Sequence, residues 1–406
     1  MRKVNVLLSL GMLLFIGRVG FADMCPNPNT TPPEKGGTLR AISLSGVAIS
    51  DAGQLNYDSN GIDQSSCRGG TAWYDPTSAV GIMPGHVLLN GHIGYPNYHK
   101  IIAPDVAGPR SCKILKKDTC TENGTSCVCY CGIFPCVTCS FWVDDFGRLG
   151  QMTHAIVPQT TSVVTDDLAV FPTTQMTATI TNIGTPSSDI YPSVIKPGRL
   201  VTFNGGNSCH QHCTFSQIVG KAILSHNKES YTYTNLELFS GCSNTYGGVQ
   251  PGDSGSPATT DDALIARVGM VVGGDSTGID AFVEPISQIR SDIIQNFALP
   301  GEIIKIAEKS IPTVSENESD AQYPELAKMK QNADRVISSN SWLTKLKHVD
   351  QVTPCWFFDK NLPDNGETGI CIEVDSTNNV SEVKRKIPDK IDGVRVRVEP
   401  PHVGTN

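Results

Sequence analysis

Across the first 300 positions the apolar residues come in short runs broken by clusters of Gly, Pro, Asn and Ser. The stretches Leu200 to Phe203, Gln217 to Leu224, Ala266 to Val272 and Ala281 to Val283 each read as a strand, and many short strands with such turns predict a sandwich or barrel. Composition agrees. Charged residues make up 18% of the chain, below the usual ~25%, while 38 Gly and 26 Pro run high. That balance excludes a helical bundle or a coiled coil and predicts a loop-rich, mainly β protein. At 39% hydrophobic the chain can bury a sizeable core. It carries 32 basic and 40 acidic side chains, a net charge of −8, with no long basic run. Nucleic-acid affinity comes largely from Lys and Arg on phosphates, so a nucleic-acid partner is not expected.

The N-terminus carries an export signal. Arg2 and Lys3 form a positive n-region, Val4 to Gly17 an apolar h-region, and Gly20-Phe21-Ala22 a small-residue cleavage site. Cleavage is expected after Ala22. The apolar stretch is interrupted by Arg18 and falls short of the ~20 residues a span needs, so no stable membrane span is expected after cleavage. The mature protein is expected to be secreted, into an extracellular or periplasmic compartment. All fourteen cysteines lie beyond the cut, an even number that permits complete pairing in an oxidising compartment.

Seven of them crowd into the segment 112–139, and Cys209-His210-Gln211-His212-Cys213 packs four ligand residues into five positions. Adjacent ligands at that spacing wrap poorly around one tetrahedral ion, and thiolates do not persist where disulfides form. Disulfides are expected in both segments, with no metal and no cofactor. Cys242 is a candidate partner for Cys209 or Cys213, and Cys67 for the insert. Near residue 300 charge density doubles, with 31 charged side chains in the last 106 positions against 41 in the first 300. Leu299-Pro300-Gly301 reads as a hinge. The expected organisation is a signal peptide at 1–22, a main domain at 23–300 containing the insert, and a small α+β module at 301–406. In that module Pro324 opens a helix, Ile370 to Val374 reads as a strand, and Val394, Val396 and Val398 alternate with period two. Its only cysteines, Cys355 and Cys371, are expected to pair.

The chemistry concentrates in Pro251-Gly252-Asp253-Ser254-Gly255-Ser256-Pro257. A serine hydroxyl becomes a useful nucleophile only when a base takes its proton and donors stabilise the oxyanion that forms. Glycines on both sides let the backbone turn tightly enough for two N–H groups to aim at one point. This string resembles the nucleophile motif of chymotrypsin-like (trypsin-like) serine peptidases, whose order along the chain is His, then Asp, then Ser. Val80-Gly81-Ile82-Met83-Pro84-Gly85-His86-Val87-Leu88 is similar to that family's strand followed by His, and Asp166-Asp167-Leu168-Ala169-Val170-Phe171 to its acidic segment.

The resemblance implies a mainly β, two-barrel chymotrypsin-like fold with the small α+β module appended. It also implies an exported serine endopeptidase acting on a protein or peptide substrate. Ser254 would be the nucleophile and His86 the general base. Asp167 would orient the imidazole, with Asp166 the other candidate because alternation lets only one of the two face the histidine. Gly252 and Ser254 would supply the oxyanion-hole N–H groups. Gly248, six residues before the nucleophile, would sit at the base of the primary pocket. Val272, Gly273 and Gly274 would pair with substrate backbone by strand addition. Asp275 suits either a basic substrate side chain or a turn.

Three features depart from the family pattern. No Ile-Val-Gly-Gly activation site precedes His86, so Asp253 lacks the new N-terminus it meets in zymogen-activated members. The family's usual cysteines near His86 and Ser254 are missing. The interval from His86 to Asp167 is long, and the cysteine-rich insert fills it. The alternative function is a catalytically inactive secreted binding protein that uses the same barrel and insert to recognise a partner.

Overall fold

The computed structural model describes residues 43–45, 47–51, 70–88, 100–104, 118–120, 127–131, 134–136, 146–151, 154–172, 176–180, 183–205, 208–226, 229–243, 248–295, 312–359 and 362–405. Residues 1–22, expected as a signal peptide, the expected hinge at Leu299-Pro300-Gly301, and the side chains of the insert cysteines, of Cys67 and of Cys209 lie outside the described residues.

Seven strands form the first sheet: β1 (Val47–Asp51), β2 (Gly70–Asp75), β3 (Val80–Met83), β4 (Lys100–Pro104), β5 (Phe146–Gln151), β6 (His154–Ile156) and β7 (Leu168–Pro172). Their spatial order is β6-β7-β3-β2-β1-β4-β5, every pair antiparallel. The second sheet is built on β8 (Leu200–Gly205), β9 (Cys209–Val219), β10 (Ala222–His226), β11 (Glu229–Tyr233), β12 (Leu236–Ser243), β13 (Pro257–Thr260), β14 (Ala266–Gly274) and β15 (Ala281–Pro285). Within it β14-β13-β8-β9-β12-β15 run in order, and β15 pairs back onto β14, so these six strands close a barrel. Closure removes the open edges that a sheet this long would otherwise expose. The fold is thus mainly β, with two strand units, as the punctuated apolar runs predict.

One strand expectation is corrected. Gln217 to Leu224 is not a single strand, because the chain turns at Gly220-Lys221 between β9 and β10. Both turn N–H groups donate to the Glu373 carboxylate, at 3.1 and 3.0 Å, which satisfies donors that a continuous strand would have spent in a ladder.

Two apolar clusters fill the interior. One joins Trp73, Ile82, Leu168 and Val170 of the first sheet to Leu224, Tyr233, Met270, Val272 and Phe282 of the second. The other lies inside the closed barrel around Phe203, Phe215, Phe239 and Val268, where Cys213 and Cys242 form a disulfide. Helix α1 (Ile286–Gln295) follows β15 and buries Ile286, Ile289 and Ile293 against the first cluster. Their spacing of three and four keeps them on one helical face.

The C-terminal residues fold around a third cluster. Helices α2 (Glu316–Gln322) and α3 (Pro324–Ser339) precede strands β16 (Val349–Asp359), β17 (Leu362–Val374), β18 (Lys390–Ile391) and β19 (Val394–Glu399), which order as β16-β17-β19-β18. Ser315 caps α2 through a capping box with Glu318, and Pro324 stands in the first turn of α3, where its missing N–H costs nothing. Cys355 and Cys371 are disulfide-bonded across β16 and β17, as expected. The final strand, β20 (His402–Thr405), leaves this sheet and lies between β10 and β14 of the second.

Between the two strand units lies a buried ionic cluster. Asp75 at the end of β2 and Asp189 are both bridged by Arg267 of β14 and Arg290 of α1, with N–O distances of 2.5 to 3.1 Å. Burial alone would raise the Asp75 carboxyl, but the two guanidiniums, Arg290 foremost, hold it below the usual carboxylate range. Removing one member of such a cluster leaves a buried charge uncompensated, at a cost of about 3–5 kcal/mol. Asp189→Asn is expected to lower the melting temperature by roughly 10 °C. Calorimetry tests this; a shift of a degree or less would mean that the cluster contributes little.

Candidate active site

Strands β3 and β7 are antiparallel neighbours, with Met83 opposite Ala169 and Ile82 opposite Val170. The residues just after β3 therefore meet those just before β7. His86 occupies a one-turn 3-10 helix, Gly85–Leu88, and Asp167 immediately precedes β7. Though 81 positions apart, the two are in double contact. The Asp167 carboxylate accepts the His86 main-chain N–H at 2.7 Å and faces the ring Nδ1 at 2.5 Å. Both side chains are buried. A carboxylate on Nδ1 fixes the tautomer with the proton there and makes Nε2 the acceptor nitrogen. Asp166, the other candidate, points away and accepts from the Gln288 amide at 2.5 Å.

A third donor reaches the same carboxylate. The Tyr233 hydroxyl at the end of β11 donates to Asp167 Oδ2 at 2.8 Å. Burial alone would raise the Asp167 carboxyl, but the His86 ring and the Tyr233 hydroxyl bring it below the ordinary range. Because Tyr233 spends its one proton there, the 2.9 Å contact between its oxygen and His226 Nε2 requires His226 to donate. The His226 ring stacks on His86, centroids 4.1 Å apart and planes 12° from parallel. Burial, then the neighbouring His86, pushes His226 down to about 3, so it is a neutral ring at physiological pH. The chain of contacts runs His226 to Tyr233 to Asp167 to His86.

No motif announces Tyr233 or His226. They belong to the β10–β11 hairpin, and only folding brings that hairpin over the first sheet. Glu284 of β15 was equally hidden: its Oε1 accepts the Asp167 main-chain N–H at 3.3 Å, and burial, with the Asp167 and Asp292 carboxyls nearby, pushes its own carboxyl well above the ordinary range.

Ser254 is buried in the turn between Pro251 and Ser256, just ahead of β13. Gly252 and Gly255 both take φ of +94°, a conformation that L side chains rarely adopt. The turn is fastened to β14, with the Gly255 N–H on the Val271 carbonyl at 2.7 Å and the Val271 N–H on the Ser256 carbonyl at 2.9 Å. Asp253 is also buried. Its carboxylate accepts the main-chain N–H groups of Ser208 and Gln250 at 2.9 and 2.8 Å, so backbone amides meet a charge that a new N-terminus meets in zymogen-activated peptidases.

Gly248 lies against Gly278, and its neighbour Val249 donates its N–H to the Gly278 carbonyl at 2.8 Å. Val272 is a core residue, while Gly273 and Gly274 end β14 opposite Phe282 and Ala281. Asp275 serves the turn that follows: its carboxylate accepts the Asp280 N–H at 2.9 Å and the Thr277 hydroxyl.

Two groups of ligand-type side chains among the described residues bring their atoms within 4.8 Å of one another: His86, Asp167 and His226, and Asp166, Glu284 and Asp292. In the first, His86 Nδ1 and the Asp167 carboxylate are committed to each other and His226 Nε2 to the Tyr233 hydroxyl. In the second, the raised Glu284 carboxyl favours a shared proton. Near Cys209 to Cys213, the Cys213 thiol is spent in its disulfide and His212 pairs with Asp261 at 2.9 Å.

No protein-family model matches the chain, and no curated protein matches it. Among solved structures it is similar to Cellulomonas bogoriensis chymotrypsin, at 14% identity over 61% of this chain and 93% of that one, TM-score 0.32. A glutamic acid-specific serine protease described as using a novel histidine triad in substrate binding matches at 12% identity over 61% and 96%, TM-score 0.34. The MamO protease domain from Magnetospirillum magneticum matches at 12% identity over 63% and 98%, TM-score 0.31. These overlaps are loose, and a functional reading must stand on the geometry of the site.

Titration of His226 makes the stability of the fold depend on pH. Its folded value of about 3 lies below the unfolded ~6.5, so the unfolded chain binds the extra proton between them. The stability linked to this ring is therefore fully present above pH ~6.5 and lost as pH falls toward 3. His226→Phe, which cannot titrate, is expected to lose less stability than wild type between pH 7 and pH 4. Urea denaturation at both pH values measures the difference; equal losses would contradict the assignment.

Proposed function

We propose that the protein is a serine endopeptidase in which His86, Asp167 and Ser254 act together. The observation that carries the reading is the doubly bonded, buried His86–Asp167 pair, because this contact gives an imidazole both a fixed orientation and a fixed tautomer. The anchoring of the Ser254 turn on Val271 supports it: the flanking residues Met270 and Val272 share one apolar cluster with Leu168 and Tyr233, which flank Asp167 in sequence or in space.

On this reading His86 Nε2 takes the Ser254 hydroxyl proton as the oxygen attacks the scissile carbonyl. The N–H groups of Gly252 and Ser254 stabilise the oxyanion. The imidazolium, stabilised by the Asp167 carboxylate, then gives its proton to the leaving amine, and water releases the acyl group by the same path in reverse. Tyr233 is a positioning residue: it holds the carboxylate in the rotamer that faces Nδ1. His226 packs the opposite face of the base and adds no charge there. The hydrogen bonds on Asp253 support activity without N-terminal cleavage. The expected export signal and the disulfides support secretion, and residues 301–406 are read as an accessory module.

A fluorophosphonate probe tests the reading. Wild type is expected to label covalently, Ser254→Ala not at all, and His86→Ala at least a thousandfold more slowly. Tyr233→Phe should lower kcat about tenfold with little change in KM, since it touches the triad and not the substrate. Absence of labelling in folded wild type would overturn the peptidase reading in favour of a binding protein on this scaffold.

A further inference from the structure

The last strand of the chain sits where a substrate would. Pro400 and Pro401 end β19, and β20 then crosses to the second sheet. There it runs parallel to β10, with His402, Val403, Gly404 and Thr405 opposite Ala222, Ile223, Leu224 and Ser225. On its other side Thr405 pairs antiparallel with Gly274.

Both edges of this slot lead toward the candidate active site. The residue after Ser225 on β10 is His226, whose ring stacks on His86. On β14 the antiparallel sense steps from Gly274 back toward Val272 and Val271, the residue that anchors the Ser254 turn. A peptide strand in the slot is therefore directed, N to C, at the nucleophile.

The slot also selects. Gly404 is buried between β10 and β14, and a Cβ added there would lie 2.6 Å from the Gly274 carbonyl oxygen, 2.6 Å from the Phe282 ring and 2.8 Å from Leu224. Leu224 and Phe282 are core residues with no room to retreat. The preceding residue, Val403, faces out and is 61% exposed, so its position accepts any side chain.

We propose that the slot between β10 and Gly274 is a binding site for an extended peptide with glycine one residue before the position opposite Gly274, and that β20 occupies it in cis. This deepens the peptidase reading and rests on it for the identity of the competing occupant, a substrate. The tether is short and firmly held. Glu399, three residues before His402, accepts from Gln217 at 2.6 Å and from Arg397 at 2.9 Å. A strand on so short a leash has an effective concentration on the order of millimolar or higher, which excludes a free peptide. The full chain is accordingly latent toward peptide substrates and cleaves them only when the strand leaves, while Ser254 stays reactive toward a small fluorophosphonate that does not need the slot.

The test uses the folded chain carrying Ser254→Ala, so that peptide is bound and not consumed. A recognition sequence for an unrelated specific protease is inserted between Pro400 and Pro401, and the chain is cut after folding and desalted. The probe is a fluorescein-labelled peptide containing His-Val-Gly-Thr, read by anisotropy. The uncut chain is expected to bind it at least a hundredfold more weakly than the cut chain, and the cut chain to prefer it at least tenfold over His-Val-Val-Thr. Equal binding before and after cutting, equal binding of the two peptides, or no binding by the cut chain would overturn the proposal. Gly404→Val in the otherwise unaltered chain gives a second reading. Amide exchange of 222–226 and 272–274 should rise at least tenfold, and unchanged exchange would count equally against the cis strand. These readouts need no catalysis. If the slot binds while cut wild type fails to label with the fluorophosphonate, the site stands and the peptidase reading falls. Labelling without binding removes the slot and leaves the peptidase reading in place.

Discussion

The buried cluster of Asp75, Asp189, Arg267 and Arg290 is the constraint on which the relation between the two strand units depends. Its four members come from the end of β2, from a short segment ahead of β8, from β14 and from α1, so one set of charges ties the first sheet to the second. Two guanidiniums and two carboxylates balance, and the Arg fork suits bidentate geometry. Such a cluster adds less net stability than apolar residues of the same volume, but it is intolerant of misregistration because every displaced partner becomes an unpaired buried charge. Arg267 lies four residues before Val271, which anchors the Ser254 turn. Asp75 lies on the strand that pairs with β3, and β3 leads directly to His86. The cluster thus fixes, through two short lengths of strand, the bodies that carry the candidate base and the candidate nucleophile.

Around the site three buried carboxyls are treated in three different ways. Asp167 is kept ionised by three donors, one of them the His86 ring. Asp253 is satisfied by backbone amides, a solution that needs no mobile or newly cut segment. Glu284 lies against the Asp167 main chain, and its raised carboxyl favours the neutral form, so it adds no second negative charge beside the first. A neutral His226 over His86 follows the same logic, since a second cation there would oppose protonation of His86. Each environment is low in dielectric, where an uncompensated charge is costly, and each is compensated by a different means.

What could be read from the sequence was what strand alternation and local turns dictate. The tight turn allowed by the glycines about Ser254 and the Val394 to Val398 strand follow from spacing within a few residues, and the Cys355–Cys371 pair from their being the only cysteines after residue 300. The turn at Gly220-Lys221 was hidden because the apolar run continues through it, and the Glu373 carboxylate that satisfies it comes from another part of the chain. Tyr233 and His226 were hidden for the same reason. A tyrosine and a histidine on a hairpin have no local signature of the carboxylate they will reach, and their roles arise only when the hairpin packs across the first sheet. Asp253 was legible as a charge in need of a partner, but not the partner, because backbone amides at Ser208 and Gln250 leave no trace in side-chain identity.

The strand His402–Thr405 marks the limit most clearly. Four residues after two prolines carry too little pattern to read as a strand, and the period-two alternation of β19 stops at Val398. Yet the prolines explain the outcome. Neither has an N–H to extend the β19 ladder, so the chain cannot continue in the sheet of β16 to β19, and their restricted backbone carries it outward in an extended conformation. The acceptors waiting for it are the edges of β10 and β14, which would otherwise stand open beside the site. Gly404 then makes the fit possible, since a Cβ there would meet the Gly274 carbonyl, Phe282 and Leu224. A segment that lacks any strong propensity of its own is held because it completes two unpaired edges at once, and on the proposed peptidase reading those edges are the ones a substrate backbone would use.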